Sequence, residues 1–188
     1  MQNKLLRFAF AGLLAVAVPS AAAAQTFVTP YAGIVKGGDA NGTPFSVGAS
    51  LMWVKAVGLE IDFSYTPDFF GEEDEFVLVA DSNVTSLMAN LVVAPGSAPV
   101  RPYASAGAGL LRARLDGGAG ALFDDVSTNS FGMNAGAGLF AMFGDHAGIR
   151  ADIRYFRALE DPEVDDDFDL SLGNLSFWRA TVGVTFKF

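Results

Sequence analysis

Apolar and polar residues alternate with a period of two along most of the chain. In GIRADIRYF (148–156), Ile149 and Ala151 fall on one side of an extended backbone, and Arg150 and Asp152 fall on the other. The same alternation predicts eight strands, at 27–35, 45–54, 57–66, 84–93, 101–112, 131–143, 148–156 and 177–188. Each is about long enough to cross a bilayer at a tilt, which takes roughly 9–11 residues. The pattern therefore predicts an all-β protein whose sheet can close with both chain ends on one side.

The connections between these strands alternate between short and long. The short ones are at 55–56, 94–99 and 144–147, and the long ones are at 36–44, 67–82, 115–129 and 158–174. The four long connections contain 17 of the 21 acidic residues and, among the basic residues, only Lys36. Short turns at one rim and long loops at the other are typical of outer-membrane barrels. The long-loop rim is therefore predicted to be strongly acidic.

Two kinds of closed eight-stranded barrel fit this pattern, and they differ in which face lies inside. A lipocalin-like barrel is apolar inside and polar outside, and a membrane barrel is the reverse. The apolar faces carry aromatic residues near strand ends, as in the girdles of membrane barrels: Trp53, Phe63, Tyr65, Tyr155, Trp178, Phe186 and Phe188. Gly107, Gly109, Gly136 and Gly138 on the polar faces are predicted to leave room in a narrow lumen for bulky side chains from opposite strands. The sequence therefore predicts an eight-stranded antiparallel up-and-down transmembrane β-barrel with its polar face inside.

The N-terminus has the organisation of a secretory signal peptide. Lys4 and Arg7 precede an apolar stretch that is too short to span a bilayer as a helix. Small residues then offer a cleavage site before Gln25. We therefore expect residues 1–24 to be a signal peptide and residues 25–188 to form the barrel domain.

The mature chain is strongly acidic and contains no cysteine. Of the 12 basic residues, Lys4 and Arg7 lie in the expected signal peptide, which leaves 10 basic against 21 acidic residues and a formal charge of −11. Nucleic acid is not an expected partner, because a phosphate-binding surface needs clustered Lys and Arg. Without cysteine, the exported protein has to fold without disulfides.

The C-terminal sequence WRATVGVTFKF resembles the assembly signal of bacterial outer-membrane barrels. Trp178, Val184 and Phe186 lie on one face of the last predicted strand, and Phe188 is terminal. The resemblance implies that these four residues are read by the barrel assembly machinery.

Three internal segments, 57–68, 101–110 and 131–157, resemble the small eight-stranded outer-membrane barrel domains of the OmpA, OmpX and opacity-protein type. The resemblance extends over the whole mature chain. It implies a location in the outer membrane of a Gram-negative bacterium, in contact with outer-membrane lipids and lipopolysaccharide. Because the sequence ends at the barrel, we expect no periplasmic peptidoglycan-binding domain.

Five charged residues are predicted to point into the lumen. Glu60 and Asp62 lie on the polar face of the third strand, and Arg150, Asp152 and Arg154 lie on the polar face of the seventh. An unpaired charge in a narrow lumen is costly, so we expect the five to form one network. In OmpA-like barrels an interior carboxylate–guanidinium cluster blocks or gates the lumen, and Glu60 and Arg150 match that cluster by strand and face.

The sequence offers little for catalysis or metal binding. A lipid-A deacylase on this architecture needs a His–Ser pair on the lipid-facing surface, whereas His146, the single histidine, falls in a short turn at the periplasmic rim. Asp165, Asp167 and Asp169 have calcium-ligand spacing, but the glycine and the glutamate of an EF-hand loop are missing, so a solvated loop is the preferred interpretation. We predict no catalytic residue, no metal site and no cofactor.

The function predicted from these features is that of an integral outer-membrane barrel protein with a structural or surface-interaction role. Its extracellular loops would be acidic and its interior charged and plugged. A narrow gated pore is the main alternative, and a lipid-modifying enzyme is a weaker one. The sequence does not identify a surface ligand.

Overall fold

The computed structural model describes residues 25–38, 40–70, 79–96, 98–117, 126–159 and 175–188, which form one closed β-sheet. Its strands are β1 (Gln25–Lys36), β2 (Phe45–Val54), β3 (Val57–Pro67), β4 (Val79–Val93), β5 (Val100–Gly117), β6 (Val126–Phe143), β7 (Ala147–Ala158) and β8 (Ser176–Lys187). Each strand pairs antiparallel with the next, and β8 closes on β1, where Ala180 lies opposite Ile34. The predicted up-and-down barrel is therefore confirmed. The expected signal peptide lies outside the described residues.

The predicted alternation of short and long connections is also confirmed. Strands are joined at one rim by residues 55–56, 94–99 and 144–146, and at the other by residues 37–44, 68–78, 118–125 and 159–175. No helix in the described part of the chain is both long and apolar enough to cross a membrane. Most of the acidic loop residues, including those at 72–75, 124–125 and 160–169, lie outside the described residues.

Three strands extend well beyond the ends that the hydrophobic alternation predicts. β4 begins at Val79 instead of Val84, β5 continues to Gly117 instead of Arg112, and β6 begins at Val126 instead of Phe131. Backbone pairing continues there along the hairpins, for example between Leu115 and Val126. Polar residues and a glycine interrupt the hydrophobic alternation in these stretches, whereas the ladder needs only backbone N–H and C=O groups. The predicted loops at 67–82 and 115–129 are therefore partly strand.

The outward face of the barrel is apolar and the inward face carries the charges. On β3, Leu59 and Ile61 are 50% and 46% exposed, whereas Glu60 and Asp62 are each 1% exposed. A soluble barrel would show the reverse, with apolar residues inside and charges in water. The predicted assignment of the two faces is therefore confirmed on this strand.

Two apolar layers fill the two ends of the interior. The long-loop layer consists of Val35, Phe69, Val84, Met88, Leu111, Ala113, Phe156, Ala158, Leu175 and Phe177. The short-turn layer consists of Phe27, Met52, Val54, Val92, Ala94, Tyr103 and Phe140. The expectation of a polar inward face is therefore wrong at these positions near the strand ends. Polar and charged residues occupy the space between the two layers.

Phe69 shows how a loop residue closes the long-loop end. Phe69 is fully buried, and its ring meets those of Phe70 and Phe177 edge-on, with centroids 4.9 and 5.1 Å apart. Phe69 therefore packs against the interior of the barrel at its long-loop end. The loop residues Phe76, Phe123 and Phe168 lie outside the described residues.

Candidate functional site: the buried charge layer

Six ionised side chains meet in the middle of the barrel. Glu60 and Asp62 come from β3, Arg150, Asp152 and Arg154 from β7, and Arg179 from β8; we call this set the charge layer. All six side chains are at most 4% exposed. Alternate positions on a strand face the same side, so β3 and β7 each present their charges to the lumen. With three carboxylates and three guanidinium groups, the charge layer is electrically balanced.

The two arginines of β7 share the same two carboxylates. Arg150 Nη2 lies 2.6 Å from Glu60 Oε1 and 2.9 Å from Asp152 Oδ2. Arg154 Nη2 lies 2.8 Å from Glu60 Oε2 and 2.8 Å from Asp152 Oδ2. Glu60 reaches both arginines from across the lumen, so these contacts connect strands that are not neighbours in the sheet. The structure thus brings together Glu60, Arg150, Asp152 and Arg154.

Asp62 pairs with an arginine that is not among the five residues of the predicted network. Its Oδ1 lies 2.6 Å from Arg179 Nη2, and its Oδ2 accepts a 2.9 Å hydrogen bond from Tyr31 Oη. Arg179 lies directly opposite Arg154 in the β7–β8 pairing, where like charges repel. Each arginine therefore needs its own carboxylate, and Asp62 supplies the one for Arg179.

Arg179 is the residue of the charge layer that the sequence analysis missed. On β8, Arg179 stands next to Trp178, which belongs to the aromatic pattern of the outward face. The signal was present, because Arg179 shares the inward parity of Thr181 and Thr185, both of which are buried.

Neutral side chains supply further hydrogen bonds to the carboxylates of the charge layer. Asn90 donates to Glu60 Oε2 at 3.0 Å, and Thr181 donates to Asp152 Oδ1 at 3.0 Å. Tyr103 donates to Asp152 Oδ2 at 2.7 Å and accepts from Arg150 Nε at 2.6 Å. As a result, every oxygen of the three carboxylates accepts at least one hydrogen bond, which is what a buried carboxylate requires.

Glycines on β6 leave space for two of these large side chains. A Cβ atom at Gly136 would lie 2.6 Å from Arg154 Cγ, and one at Gly138 would lie 2.5 Å from Tyr103 Oη. The sequence predicts this role for both glycines, but it places the bulky groups on opposite strands. They lie instead directly beside the glycines on the paired strands, Arg154 on β7 and Tyr103 on β5.

The residues of the expected assembly signal lie on the outside of the barrel. Trp178, Val184, Phe186 and Phe188 are all exposed. The Trp178 ring packs beside that of Tyr155 on β7, with centroids 5.1 Å apart. This part of the surface is therefore apolar and aromatic, and it does not contact the charge layer.

The residues considered for catalysis or metal binding do not form a site in the described part of the chain. His146 is exposed in the turn between β6 and β7. Within the described ranges, no group of three or more His, Cys, Asp or Glu side chains is arranged to hold a metal ion. The aspartates at 165, 167 and 169 lie outside those ranges.

Residues 8–188 match the family model of the outer membrane protein β-barrel domain. The chain belongs to this family. It is an integral protein of the bacterial outer membrane, and its apolar outer face therefore contacts outer-membrane lipid. No curated protein matches the chain when sequences are compared.

Several solved outer-membrane barrels have a similar structure. Neisserial surface protein A is 17% identical, with 88% of this chain and 97% of that chain covered and a TM-score of 0.61. The N-terminal β-barrel domain of Pseudomonas aeruginosa OprF is 19% identical, with 87% and 97% covered and a TM-score of 0.54. Ail, the attachment invasion locus protein of Yersinia pestis, solved with the heparin analogue sucrose octasulfate, is 19% identical, with 88% and 99% covered and a TM-score of 0.56. At these identities the likeness shows the fold alone.

Proposed function

We propose that this outer-membrane barrel is a non-conducting structural protein that presents its long loops as an interaction surface. The observation that carries this proposal is the filling of the interior by the charge layer, with an apolar layer on each side of it. A permeating ion would have to separate ion pairs and also displace aromatic rings at both ends. This arrangement supports a closed lumen.

The main alternative is a gated pore, and one feature favours it. Arg150 and Arg154 contact the same two carboxylates, so the pairs can exchange partners without leaving a charge unpaired. Such an exchange would leave Phe27 and Phe140 in place at the short-turn end, and Phe156 and Phe177 at the long-loop end. The apolar layers therefore make a closed lumen the better-supported proposal.

Conductance in a planar bilayer distinguishes the two proposals. We would compare the folded wild type, Arg150→Ala and, as a matched control, Arg112→Ala, which changes an exposed arginine on β5. Silence from all three proteins is the expected result for a closed barrel. Discrete openings in the wild type that become larger or longer in Arg150→Ala, with Arg112→Ala unchanged, would establish the gate and overturn the proposal.

The long loops set the charge of the surface that this protein would present. Their acidic composition supports a partner that carries positive charge. The Ail structure contains a strongly anionic heparin analogue, and such a ligand would be repelled here. We therefore expect the triple variant Asp165→Asn, Asp167→Asn and Asp169→Asn to weaken adsorption of polylysine to vesicles that contain the folded protein. Unchanged adsorption would argue against this loop as the interaction surface.

We also assign roles to both ends of the chain and to His146. Residues 1–24 direct export, and Trp178, Val184, Phe186 and Phe188 form the signal for the barrel assembly machinery. The protein has no enzymatic role: His146 lies in the turn between β6 and β7, at the rim opposite the long loops, away from outer-leaflet lipid A. A lipid-A modification that is lost in His146→Ala would contradict this assignment.

A further inference from the structure

A cavity of about 390 Å³ opens at the short-turn end of the barrel. Its wall includes Phe27 and Phe140, which belong to the short-turn layer, together with Arg101, Lys187 and the turn residue Asp145. The cavity lies outside the charge layer, and neither Arg101 nor Lys187 takes part in that layer. Its volume lies within the range of about 300–1,000 Å³ that is usual for small-molecule sites.

Arg101 is a buried cation without an acidic partner among the described residues. It is 8% exposed, and its guanidinium carbon lies 5.8 Å from the ring centre of Phe27 and 5.6 Å from that of Phe140. It donates one hydrogen bond, from Nη1 to the backbone oxygen of Lys55 at 3.2 Å. A guanidinium group has five N–H donors, and a buried charge is costly unless it is paired. Arg101 therefore has donors and charge to offer a group that enters the cavity.

The charge of the cavity wall favours an anion. Lys187 adds a second cation to Arg101, and Asp145 is the acidic residue of the wall. Across the described chain, Asp145 forms no ion pair with either cation. The wall therefore has an excess of positive charge, opposite in sign to the long-loop rim.

The planar guanidinium group of Arg101 and the apolar residues of the cavity wall favour one class of anion. A guanidinium group is planar and matches the two oxygens of a carboxylate, which it can bind through two parallel hydrogen bonds. The rings of Phe27 and Phe140 and the side chain of Met142 supply an apolar surface beside it. Such a wall favours a ligand with an apolar body attached to the anionic group.

We propose that the short-turn mouth of the barrel is a binding site for small organic carboxylates. The carboxylate contacts Arg101 and is attracted by Lys187, while the apolar body of the ligand packs against Phe27 and Phe140. The site faces the periplasm, because the short turns of outer-membrane barrels lie on that side. It is independent of whether the lumen conducts.

Benzoate is a suitable probe, with benzamide as its uncharged match. Binding to the folded full-length barrel in detergent micelles would be measured by calorimetry and by NMR of arginine side chains. The wild type is expected to bind benzoate but not benzamide, with a shift of the Arg101 Nε resonance. Arg101→Met is expected to weaken binding at least tenfold, whereas Arg112→Met, on the same strand but exposed, is expected to bind like the wild type.

Folding of each variant would be checked by the gel mobility of the unheated barrel. If Arg101→Met does not fold, Arg101→Lys provides the comparison, because it keeps the charge but loses the planar donor pair; a several-fold loss of benzoate affinity is then expected. Absence of benzoate binding to the wild type would overturn the proposal. Equal affinities of the wild type and the Arg101 variant, or equal binding of benzoate and benzamide, would overturn it as well.

Discussion

Removing Arg179 should destabilise the barrel more than removing Arg150, although Arg150 makes more contacts. Arg179 is the ion-pair partner of Asp62 at 2.6 Å, and without it Asp62 keeps only the hydroxyl of Tyr31. Breaking a buried ion pair from one side typically costs about 3–5 kcal/mol, because the remaining charge is left without compensation. We expect a loss of that size for Arg179→Met.

Arg150→Met, in contrast, leaves both carboxylate partners of Arg150 with another cation. Glu60 and Asp152 each retain Arg154 at 2.8 Å, so no carboxylate loses its last cation. The loss is then mainly one of hydrogen bonds, and we expect about 1–3 kcal/mol. The ranking of the two variants therefore depends on the two carboxylates, Glu60 and Asp152, that the arginines of β7 share, and not on the number of contacts.

Reversible urea unfolding in lipid vesicles measures both losses. Trp53 and Trp178 lie on the lipid-facing parity, so their fluorescence reports insertion. Adding Asp62→Asn to Arg179→Met removes the carboxylate charge that lacks a cation, and the amide oxygen can still accept the hydrogen bond from Tyr31. The double variant should therefore regain at least half of the lost stability. Arg112→Met serves as the exposed control. A smaller loss of stability for Arg179→Met than for Arg150→Met, or no recovery of stability with Asp62→Asn, would show that Arg179 is not the cation on which Asp62 depends.

Three further predictions test other parts of the barrel. Tyr103→Phe removes the hydroxyl that contacts Asp152 and Arg150, so urea unfolding should show a loss of about 1–3 kcal/mol, and an unchanged midpoint would contradict the hydrogen bonds described. Ile153→Arg places a charge on the lipid face of β7 and should cost about 2–4 kcal/mol in vesicles, whereas a neutral effect would mean that this face does not contact lipid. Deletion of Phe188 should lower the yield of folded barrel in cells but leave spontaneous folding into micelles unchanged, and equal losses in both would argue against an assembly signal.

The sequence is sufficient to predict the barrel and the main contact across its lumen. Period-two alternation determines the face on which each residue lies, and the short turns place Glu60 and Arg150 at similar heights on β3 and β7. Together these two facts bring the residues close to each other, and Arg150 Nη2 lies 2.6 Å from Glu60 Oε1.

The choice of partner within the lumen could not be predicted in the same way. The strand face on which Asp62 lies and its height along the barrel are equally compatible with an ion pair to Arg154 and with one to Arg179. The pairing depends on how strongly the strands tilt and twist around the barrel, which alternation does not specify. The two apolar layers were missed for a related reason, because Phe27 and Phe140 meet only when β1 and β6 face each other across the closed sheet.

The charge layer also links strand register to stability. A shift of one residue in the pairing of a strand moves all its side chains to the opposite face. On β7 such a shift would place Arg150 and Arg154 in lipid, at about 2–4 kcal/mol for each arginine near the bilayer midplane, and would leave Glu60 without a cation. β6 opposes such a shift only weakly along its stretch of alternating alanine and glycine (135–138), because both faces are small there. We infer that β7, held through Glu60 on the far side of the lumen, determines the register of its neighbour β6.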